Sequence, residues 1–296
     1  MIRVAKQDRI LQVTVRVFLV VILLVVLYPL YFVIIASISD PVLVNTGGVW
    51  VIPRKPTLDG YKEIIKDEKL VKGYRNSILY AVSGTALNLA LTLTAAYALS
   101  RRDFIGRNIF MGILVFTMFF TGGLIPLFLL VRSLGLYDTF LIMILVMPNA
   151  VNVFNLIIAK TFFQSNVPQE LLDAAVMDGC SDVKFFTNVV LPISGAIIAV
   201  LTVFYAVSHW NAFFNALVFL KSESLFPLQL ILRTILLSHQ LTEEIWVDDT
   251  DAMRTQMLAE SMKYGIIVVA SVPVLILYPF VQKHYVRGVM IGAIKG

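Results

Sequence analysis

The stretch 166–192 reads NVPQELLDAAVMDGCSDVKFFTNVVLP and interrupts a very apolar chain. We call this stretch the polar segment. Four acidic residues and one lysine lie in it, namely Glu170, Asp173, Asp178, Asp182 and Lys184. Charged side chains are costly in the hydrocarbon core of a bilayer. The polar segment is therefore expected to stand in water, although long apolar runs lie on both sides of it.

The composition is that of a membrane protein. Of 296 residues, 58% are hydrophobic and 15% are charged, and the mean hydropathy is +0.84. Soluble domains carry roughly a quarter charged residues. The net charge is +5, but the basic residues are scattered rather than clustered, which argues against a nucleic-acid partner. We predict an all-α, polytopic protein of the cell (plasma or inner) membrane, in contact with membrane lipid.

Catalytic and metal sites are not expected. Cys180 is the single cysteine, which excludes an internal disulfide framework and a cysteine-based metal site. The three histidines are far apart and have no metal-ligand spacing. The sequence also lacks the GxxxxGK[ST] loop, so ATP is not expected to bind to this chain through that motif. We predict no catalytic residue, no metal and no bound cofactor.

Uncharged runs locate the predicted spans, since about 20 helical residues cross a bilayer core. Pro192 divides the longest run, 185–220, so that 185–191 belongs to the polar segment and a span follows it. The six predicted transmembrane helices are 17–39, 76–100, 108–131, 139–159, 195–220 and 264–282. The first is predicted to be a retained span, not a cleaved signal peptide.

Several positions modify this scheme. Pro29 is expected to kink the first span, and Gly122, Gly123 and Pro126 to weaken the third one midway. The apolar stretch 225–237 is short and is predicted to form a surface or re-entrant helix. The predicted parts of the chain are an N-terminal segment with the first span and an outer loop (1–75), a five-helix core containing the polar segment (76–282) and a tail (283–296).

Orientation follows from basic residues close to the span ends. Arg101, Arg102 and Arg107 crowd one very short loop, and four further basic residues precede the first span. The bases of the first outer loop are instead spread among acidic residues. We therefore place both termini and the polar segment in the cytoplasm.

The polar segment itself predicts two short helices joined at a glycine. Asn166 and Gln169 have the spacing of a capping pair, and Pro168 is suited to the start of a helix. Gly179 is the expected stop, because glycine adopts a positive φ at little cost. Ser181 can then cap a second helix that ends at Pro192. Taken alone, the pattern is equally compatible with an ordinary helical loop between two spans.

A family resemblance favours a more specific interpretation. Asp173-Ala174-Ala175, then Asp178-Gly179, then Val189-Val190-Leu191-Pro192 resemble the EAA loop of ABC-importer permeases, with Asp173 in place of Glu and Val189 in place of Ile. The tail from 280 to 296 and the stretch 210–215 are similar to carbohydrate-type permeases. The resemblance covers nearly the whole chain and implies a type I ABC importer permease fold with a cytoplasmic coupling helix.

The resemblance also implies partners and sites. The loop would dock in a cleft of an ATPase subunit that itself binds ATP and Mg. The residues it assigns to this coupling are Glu170, Asp173, Ala174, Ala175, Asp178, Gly179 and Pro192, and those assigned to a tail contact are Arg287, Gly288 and Lys295. A second homologous permease in a heterodimer, two ATPase subunits, an extracytoplasmic solute-binding protein and an oligosaccharide substrate complete the implied importer. For the tail, Gly288 and Gly292 also allow a helix-packing GxxxG motif.

Polar residues within the spans are candidates for a substrate path. Asn149, Asn152 and Asn155 are expected on one face of the fourth span, and Ser208, Asn211 and Asn215 on one face of the fifth, beside Trp210. Amides with aromatic rings suit sugars, but hydrogen bonding between helices would favour the same residues. His209 is predicted to be a packed histidine.

Other functions stay open at this point. The same fold could import a non-sugar solute such as peptides. A stand-alone ion-coupled carrier would need acidic residues inside its spans, and the carboxylates here lie in loops. A membrane enzyme would need a nucleophile–base pair or a metal-ligand set, and the sequence contains neither pattern.

Overall fold

A computed structural model describes residues 6–145, 150–243 and 262–279 of the chain. Within these ranges the regular structure is entirely helical, which confirms the predicted all-α class. The helices are α1 (Lys6–Ser37), α2 (Pro41–Asn45), α3 (Asp59–Lys66), α4 (Glu68–Ser100), α5 (Arg107–Phe119), α6 (Leu124–Ser133), α7 (Phe140–Leu145), α8 (Val153–Asn166), α9 (Gln169–Met177), α10 (Asp182–Ile193), α11 (Gly195–Trp210), α12 (Phe213–Phe219), α13 (Leu228–Glu243) and α14 (Met262–Pro279).

Three described helices are long and apolar enough to cross a membrane: α1 from Ile10 onward, α4 and α14. Two further spans are counted only if each of two bent pairs is one span. The α5–α6 pair is bent by 114° and the α10–α11 pair by 83°. The number of spans in the described residues is therefore three to five, and the predicted count of six is not confirmed.

The third predicted span is not one straight helix. Residues 120–123 separate α5 from α6, and Gly123 has a φ of +84° just before α6 begins. The predicted weak point at Gly122 and Gly123 is confirmed, but a continuous helix over 108–131 is wrong. Glycine at φ +84° avoids the Cβ clash that other residues would meet, which explains why the chain turns here.

The fourth and fifth predicted spans are also interrupted. α7 ends at Leu145, and α8 begins only at Val153, after a non-helical stretch at 150–152. α11 ends at Trp210, and α12 follows after Asn211 and Ala212. A continuous helix over 139–159 or over 195–220 is therefore wrong. Uncharged runs report a low charge density, but they do not report where the helical hydrogen bonds are broken.

The chain divides into two compact units. Among the described residues, one consists of 6–68 with 234–243 and 262–271, and the other of 69–145 and 150–233 with 272–279. In the first, Ile35 and Ala36 at the end of α1 pack with Val44 and Val49. Asp40 caps α2 through its carboxylate, and Tyr61 donates a hydrogen bond to Ser37 at 2.8 Å. These contacts fix the loop after α1 on the end of that helix.

The second unit contains the site and has two buried apolar clusters. One joins α4, α8, α10 and α11 around Phe163, Phe185 and Leu201. The other joins α4, α7 and α12 around Tyr80, Met143 and Phe219. α13, predicted as a short surface or re-entrant helix, begins against α4, where the Leu228 amide donates to the Ser77 hydroxyl at 2.8 Å.

Candidate functional site

The polar segment begins where α8 ends. α9 starts at Gln169 with Pro168 as its N-cap, a residue whose φ is fixed and which has no N–H to satisfy. The predicted capping pair of Asn166 and Gln169 is wrong. The Asn166 side chain donates instead to the Phe162 carbonyl at 3.0 Å, and Gln169 donates to the Asp173 carboxylate at 3.2 Å.

α9 ends as the sequence predicts. Gly179 has a φ of +68°. Its amide donates to the Val176 carbonyl at 3.0 Å, and the Cys180 amide donates to the Ala175 carbonyl at 2.9 Å. These two bonds form a Schellman motif, which satisfies the last carbonyls of the helix and turns the chain sharply. A Cβ added at Gly179 would meet no atom within 4 Å, so its requirement is for backbone conformation and not for space.

The second helix of the polar segment is α10. The Ser181 hydroxyl accepts a hydrogen bond from the Lys184 amide at 3.4 Å, so the predicted cap is confirmed. α10 contains a π-helical turn at Phe186–Val190 and ends one residue after the predicted Pro192. At the bend into α11, the buried Ser194 hydroxyl donates to the Val190 carbonyl at 2.6 Å.

One face of the polar segment is anchored in the protein. Leu172 of α9 and Phe185 and Val190 of α10 are buried in the cluster around Phe163. Burial of three large apolar side chains contributes about 1.5–3 kcal/mol for each. The two short helices therefore have a fixed position on the spans.

The opposite face of the polar segment is open. Glu170, Asp173 and Asp178 are exposed, and none of them forms an ion pair with a described residue. Apolar side chains are exposed beside them: Leu171, Val176, Met177 and Val183, with Met177 at 87%. Exposed apolar side chains rimmed by acidic groups are typical of a protein-docking surface. We call this surface the docking face.

Arg101 joins the polar segment to the loop after α4. Its guanidinium donates to the Asp103 carboxylate at 2.6 and 2.8 Å and to Asp182 at 3.1 Å. It also donates to the Tyr97 hydroxyl at 3.1 Å. The hydrogen bonds between Arg101 and Asp103 raise the pKa of the guanidinium and lower the pKa of the Asp103 carboxyl. Sequence reasoning used Arg101 only for orientation, because its partner in α10 is 81 residues away.

Three of the predicted substrate-path residues line one cavity. Asn152, Asn155 and Ser208 border a cavity of about 540 Å³. Phe154, Phe204 and Tyr205 also line it. Its described lining combines amide and hydroxyl groups with aromatic rings and contains no charged side chain. We call it the polar cavity.

The break before α8 gives Asn152 and Asn155 their positions. Asn152 is the N-cap of α8, and its side-chain oxygen accepts from the Asn155 amide at 3.1 Å. The predicted helical face through Asn149, Asn152 and Asn155 is therefore wrong, since Asn152 precedes the helix and Asn149 lies outside the described residues. Asn155 is buried, and Asn152 is half-buried.

The predicted face of the fifth span is likewise divided. Ser208 lies in α11, Asn211 is the exposed cap residue after it, and Asn215 is half-buried in α12. Trp210 is buried at 4% exposure and packs edge-on against Tyr74, with ring centroids 5.6 Å apart. Neither Trp210, Asn211 nor Asn215 is among the residues that line the polar cavity.

Sequence reasoning missed a buried polar stripe on α4. Asn88 donates to the Ala150 carbonyl at 2.9 Å and is hydrogen-bonded to His209 across 2.7 Å. Thr92 shares a hydrogen bond of 2.6 Å with the Tyr205 hydroxyl. The signal was present, because Ser77, Thr85, Asn88 and Thr92 recur on one helical face. His209 is the packed histidine that the sequence predicts, at 2% exposure.

Some predicted positions cannot be placed. Arg287, Gly288 and Lys295 of the predicted tail contact lie outside the described residues. The described residues contain no group of three or more metal-ligating side chains.

The helical fold, the apolar helices long enough to cross a membrane and the two-helix polar segment define a class of protein. The chain belongs to the permease proteins of carbohydrate ABC transporters, as its relatives show. It is 38% identical to a polygalacturonan/rhamnogalacturonan transport system permease protein of Bacillus subtilis (strain 168), over 98% of this chain and 100% of the relative. It is also 38% identical to the protein LplC of the same strain, over 92% of this chain and 90% of LplC.

A solved structure has the same fold. A chain from a bacterial ABC transporter involved in the import of the acidic polysaccharide alginate superposes with a TM-score of 0.86. It is 32% identical, and the match covers 96% of this chain and 99% of that one. No family model matches the sequence.

Proposed function

We propose that this chain is the membrane-spanning subunit of an ATP-driven importer for oligosaccharides or polysaccharide fragments. The observation that carries the proposal is the docking face. It is formed by α9 and α10, which are anchored by buried side chains and lie where the family has its EAA loop. ATP, with Mg, is hydrolysed by partner ATPase subunits, and the chain itself is not an enzyme. A solute-binding protein delivers the sugar on the extracytoplasmic side.

Coupling through the docking face has a physical basis. The acidic residues Glu170, Asp173 and Asp178 suit a basic cleft on the ATPase, and Val176 and Met177 supply apolar contact area. Ala174 and Ala175 permit close approach, Gly179 ends α9, and Pro192 lies in the last turn of α10. Because α9 and α10 are anchored by buried side chains, a displacement of the ATPase moves the spans with them.

The remaining architecture is part of the same proposal. We infer six spans, with both termini and the polar segment in the cytoplasm, and a heterodimer with a second homologous permease above two ATPases. Arg287, Gly288 and Lys295 of the tail contact the ATPase interface. The polar segment, which resembles the EAA loop of the family, lies between the predicted fourth and fifth spans, and this position supports the arrangement.

The polar cavity is the proposed part of the substrate path. Asn152, Asn155 and Ser208 offer donors and acceptors for sugar hydroxyls, and Phe154 and Phe204 offer apolar surface for sugar faces. The described lining contains no carboxylate that would repel an anionic sugar. Since one similar protein is named for polygalacturonan/rhamnogalacturonan transport and the similar solved structure comes from an importer of the acidic polysaccharide alginate, acidic oligosaccharides are the first substrates to test. Asn211, Asn215 and Trp210 would act further along the path.

Uptake by the reconstituted complex tests this function. Proteoliposomes containing both permeases, the ATPase and the binding protein should take up oligogalacturonides or alginate oligosaccharides in an ATP-dependent manner, but not dipeptides. Ser208→Leu should reduce the uptake rate about tenfold by filling the polar cavity. Ser133→Leu, an exposed serine at the end of α6, is the matched control and should leave uptake unchanged. ATP-dependent dipeptide uptake without sugar uptake would contradict the proposal.

A further inference from the structure

A second cavity, of about 320 Å³, lies at the base of the polar segment. Arg101, Arg102 and Arg107 line one side of it, from the loop after α4 and the first residue of α5. Pro168 and Gln169, where α9 begins, line another side. We call it the arginine cavity. Nothing in the proposed transport cycle uses it.

The three arginines differ in how far their charges are compensated. Arg101 is engaged by the carboxylates of Asp103 and Asp182. Arg107 donates to the Arg101 carbonyl at 3.2 Å, and no described carboxylate pairs with Arg107 or with Arg102. No acidic residue lines the cavity among the described residues. The cavity is therefore lined by two arginines that have no carboxylate partner among the described residues.

The position of Arg107 makes an anion more favourable still. Arg107 is the first residue of α5, and the first turn of this helix contains no acidic residue. A helix N-terminus carries partial positive charge, so a cation there is unfavourable and an anion is stabilised. An anion bound beside Arg107 would offset this unfavourable placement of a cation.

The rest of the lining indicates the kind of anion. Ser100, Ser165 and Gln164 add hydroxyl and amide groups beside the arginines. Phe163 and Phe185 add buried apolar surface. The planar guanidinium of arginine, together with hydroxyl donors, matches the several oxygens of a phosphate group. The cavity, at about 320 Å³, is also larger than a simple halide ion requires.

We propose that the arginine cavity binds the phosphate group of an anionic ligand, either the headgroup of an anionic phospholipid or a free phosphate. Since its walls belong both to the loop 101–107 and to α9, the bound phosphate bridges the two. An occupied cavity adds to the contacts that already hold the polar segment, namely the buried cluster around Phe163 and the hydrogen bonds of Arg101. Occupancy thereby adjusts how firmly the docking face is held on the spans.

Binding to the full-length chain tests this proposal in two arms. In the first arm, the chain in detergent is equilibrated with phosphatidylglycerol or phosphatidylcholine and the retained lipid is counted by native mass spectrometry. In the second arm, inorganic phosphate is titrated calorimetrically. The variants are Arg102→Gln with Arg107→Gln, and Arg102→Gln alone in case the double variant does not fold. Lys184→Gln is the control, because it removes a nearby positive charge of the polar segment that does not line the cavity.

The expected result is saturable binding that the double variant weakens at least tenfold and Lys184→Gln leaves unchanged. Preferential retention of phosphatidylglycerol identifies a lipid headgroup, and saturable binding of inorganic phosphate identifies a free phosphate. The proposal is overturned if wild-type protein binds neither probe, or if the arginine variants bind both probes as wild type does. An equal loss in Lys184→Gln would also overturn it, since the binding would then be unspecific. Transport by the complex does not enter either arm, so the proposed function can fail without affecting this test.

Discussion

Arg101 donates a hydrogen bond to the Asp182 carboxylate across 3.1 Å and so connects the end of the second span to the polar segment. The Arg101 side chain is 16% exposed, whereas the Asp182 side chain is 72% exposed. Exposed ion pairs contribute little, typically about 0–1 kcal/mol. The main effect of this contact is on geometry, because a single guanidinium group holds Asp103, Tyr97 and Asp182 together.

Replacing Arg101 by lysine should loosen the polar segment without preventing membrane insertion. A lysine retains the charge but cannot hold three partners in a fixed plane. We expect faster hydrogen exchange of the α10 amides, by about threefold to tenfold. The matched control is Arg132→Lys, an exposed arginine in the last turn of α6, which should leave α10 unchanged. Unchanged α10 exchange in Arg101→Lys would contradict the anchoring role.

Asp138 should stabilise the second unit by holding two of its loops together. Its carboxylate accepts from the Lys221 and Ser222 amides, each at 2.8 Å, and from the Ser222 hydroxyl at 2.6 Å. Its φ is +58°, a conformation that asparagine adopts more readily than alanine, for which it costs roughly 1–2 kcal/mol. Asp138→Ala should therefore lower the unfolding temperature by several degrees, and Asp138→Asn by clearly less. Equal decreases of the unfolding temperature in the two variants would argue against this role of Asp138.

The same contact predicts a pH dependence. The hydrogen bonds from Ser222 lower the pKa of the Asp138 carboxyl below its ordinary value of 3.8. A carboxyl with a lowered folded-state pKa contributes stability above its unfolded pKa, and the contribution is lost as pH falls through the folded value. The Asp138 contribution should thus be constant from pH 7 to 5 and disappear only below about pH 4. The unfolding-temperature difference between wild type and Asp138→Asn, measured across this range, checks it.

Gly84 is required for the close approach of α4 to His209. A Cβ at Gly84 would overlap the imidazole ring, which is buried and bonded to Asn88. Gly84→Ala should lower the unfolding temperature because the ring must move and release that hydrogen bond. The control is Gly112→Ala within α5, where an added Cβ meets no atom within 4 Å. Alanine favours helix by about 1 kcal/mol over glycine, so this control should be neutral or stabilising. Equal behaviour of the two variants would contradict the packing argument.

Local signals of the sequence predict the polar segment well. Gly179 and Ser181 act within a few residues of themselves, so turn and cap chemistry is sufficient to place them. The cap predicted at Asn166 is wrong because its side chain can bond either forward to α9 or back to α8. It donates to the Phe162 carbonyl of α8. The partner of Arg101 could not be predicted, since it depends on how α4 packs against α10.

The spans show the opposite behaviour. Low charge density indicates which parts of the chain are apolar enough to be spans. It does not show that each uncharged run is one helix. The break at Gly123 follows from the local conformation of glycine, whereas the break before Val153 involves a tertiary contact, in which the Asn152 amide donates to the Tyr205 hydroxyl at 3.3 Å. For the same reason, helical spacing grouped Asn152, Asn155 and Ser208 with residues that do not share their cavity.

The central claim is that the polar segment transmits ATP hydrolysis to the spans, and Gly179 tests it most directly. Its φ of +68° costs valine considerably more than the roughly 1–2 kcal/mol of an ordinary residue, whereas asparagine adopts it readily. Neither side chain meets a spatial obstacle at its Cβ.

The measurement is oligosaccharide-stimulated ATP hydrolysis by the reconstituted complex, with membrane insertion of each variant verified separately. We expect Gly179→Val to abolish both the stimulation and uptake, and Gly179→Asn to retain most of both. A correctly inserted Gly179→Val permease with normal stimulation and uptake would contradict the account.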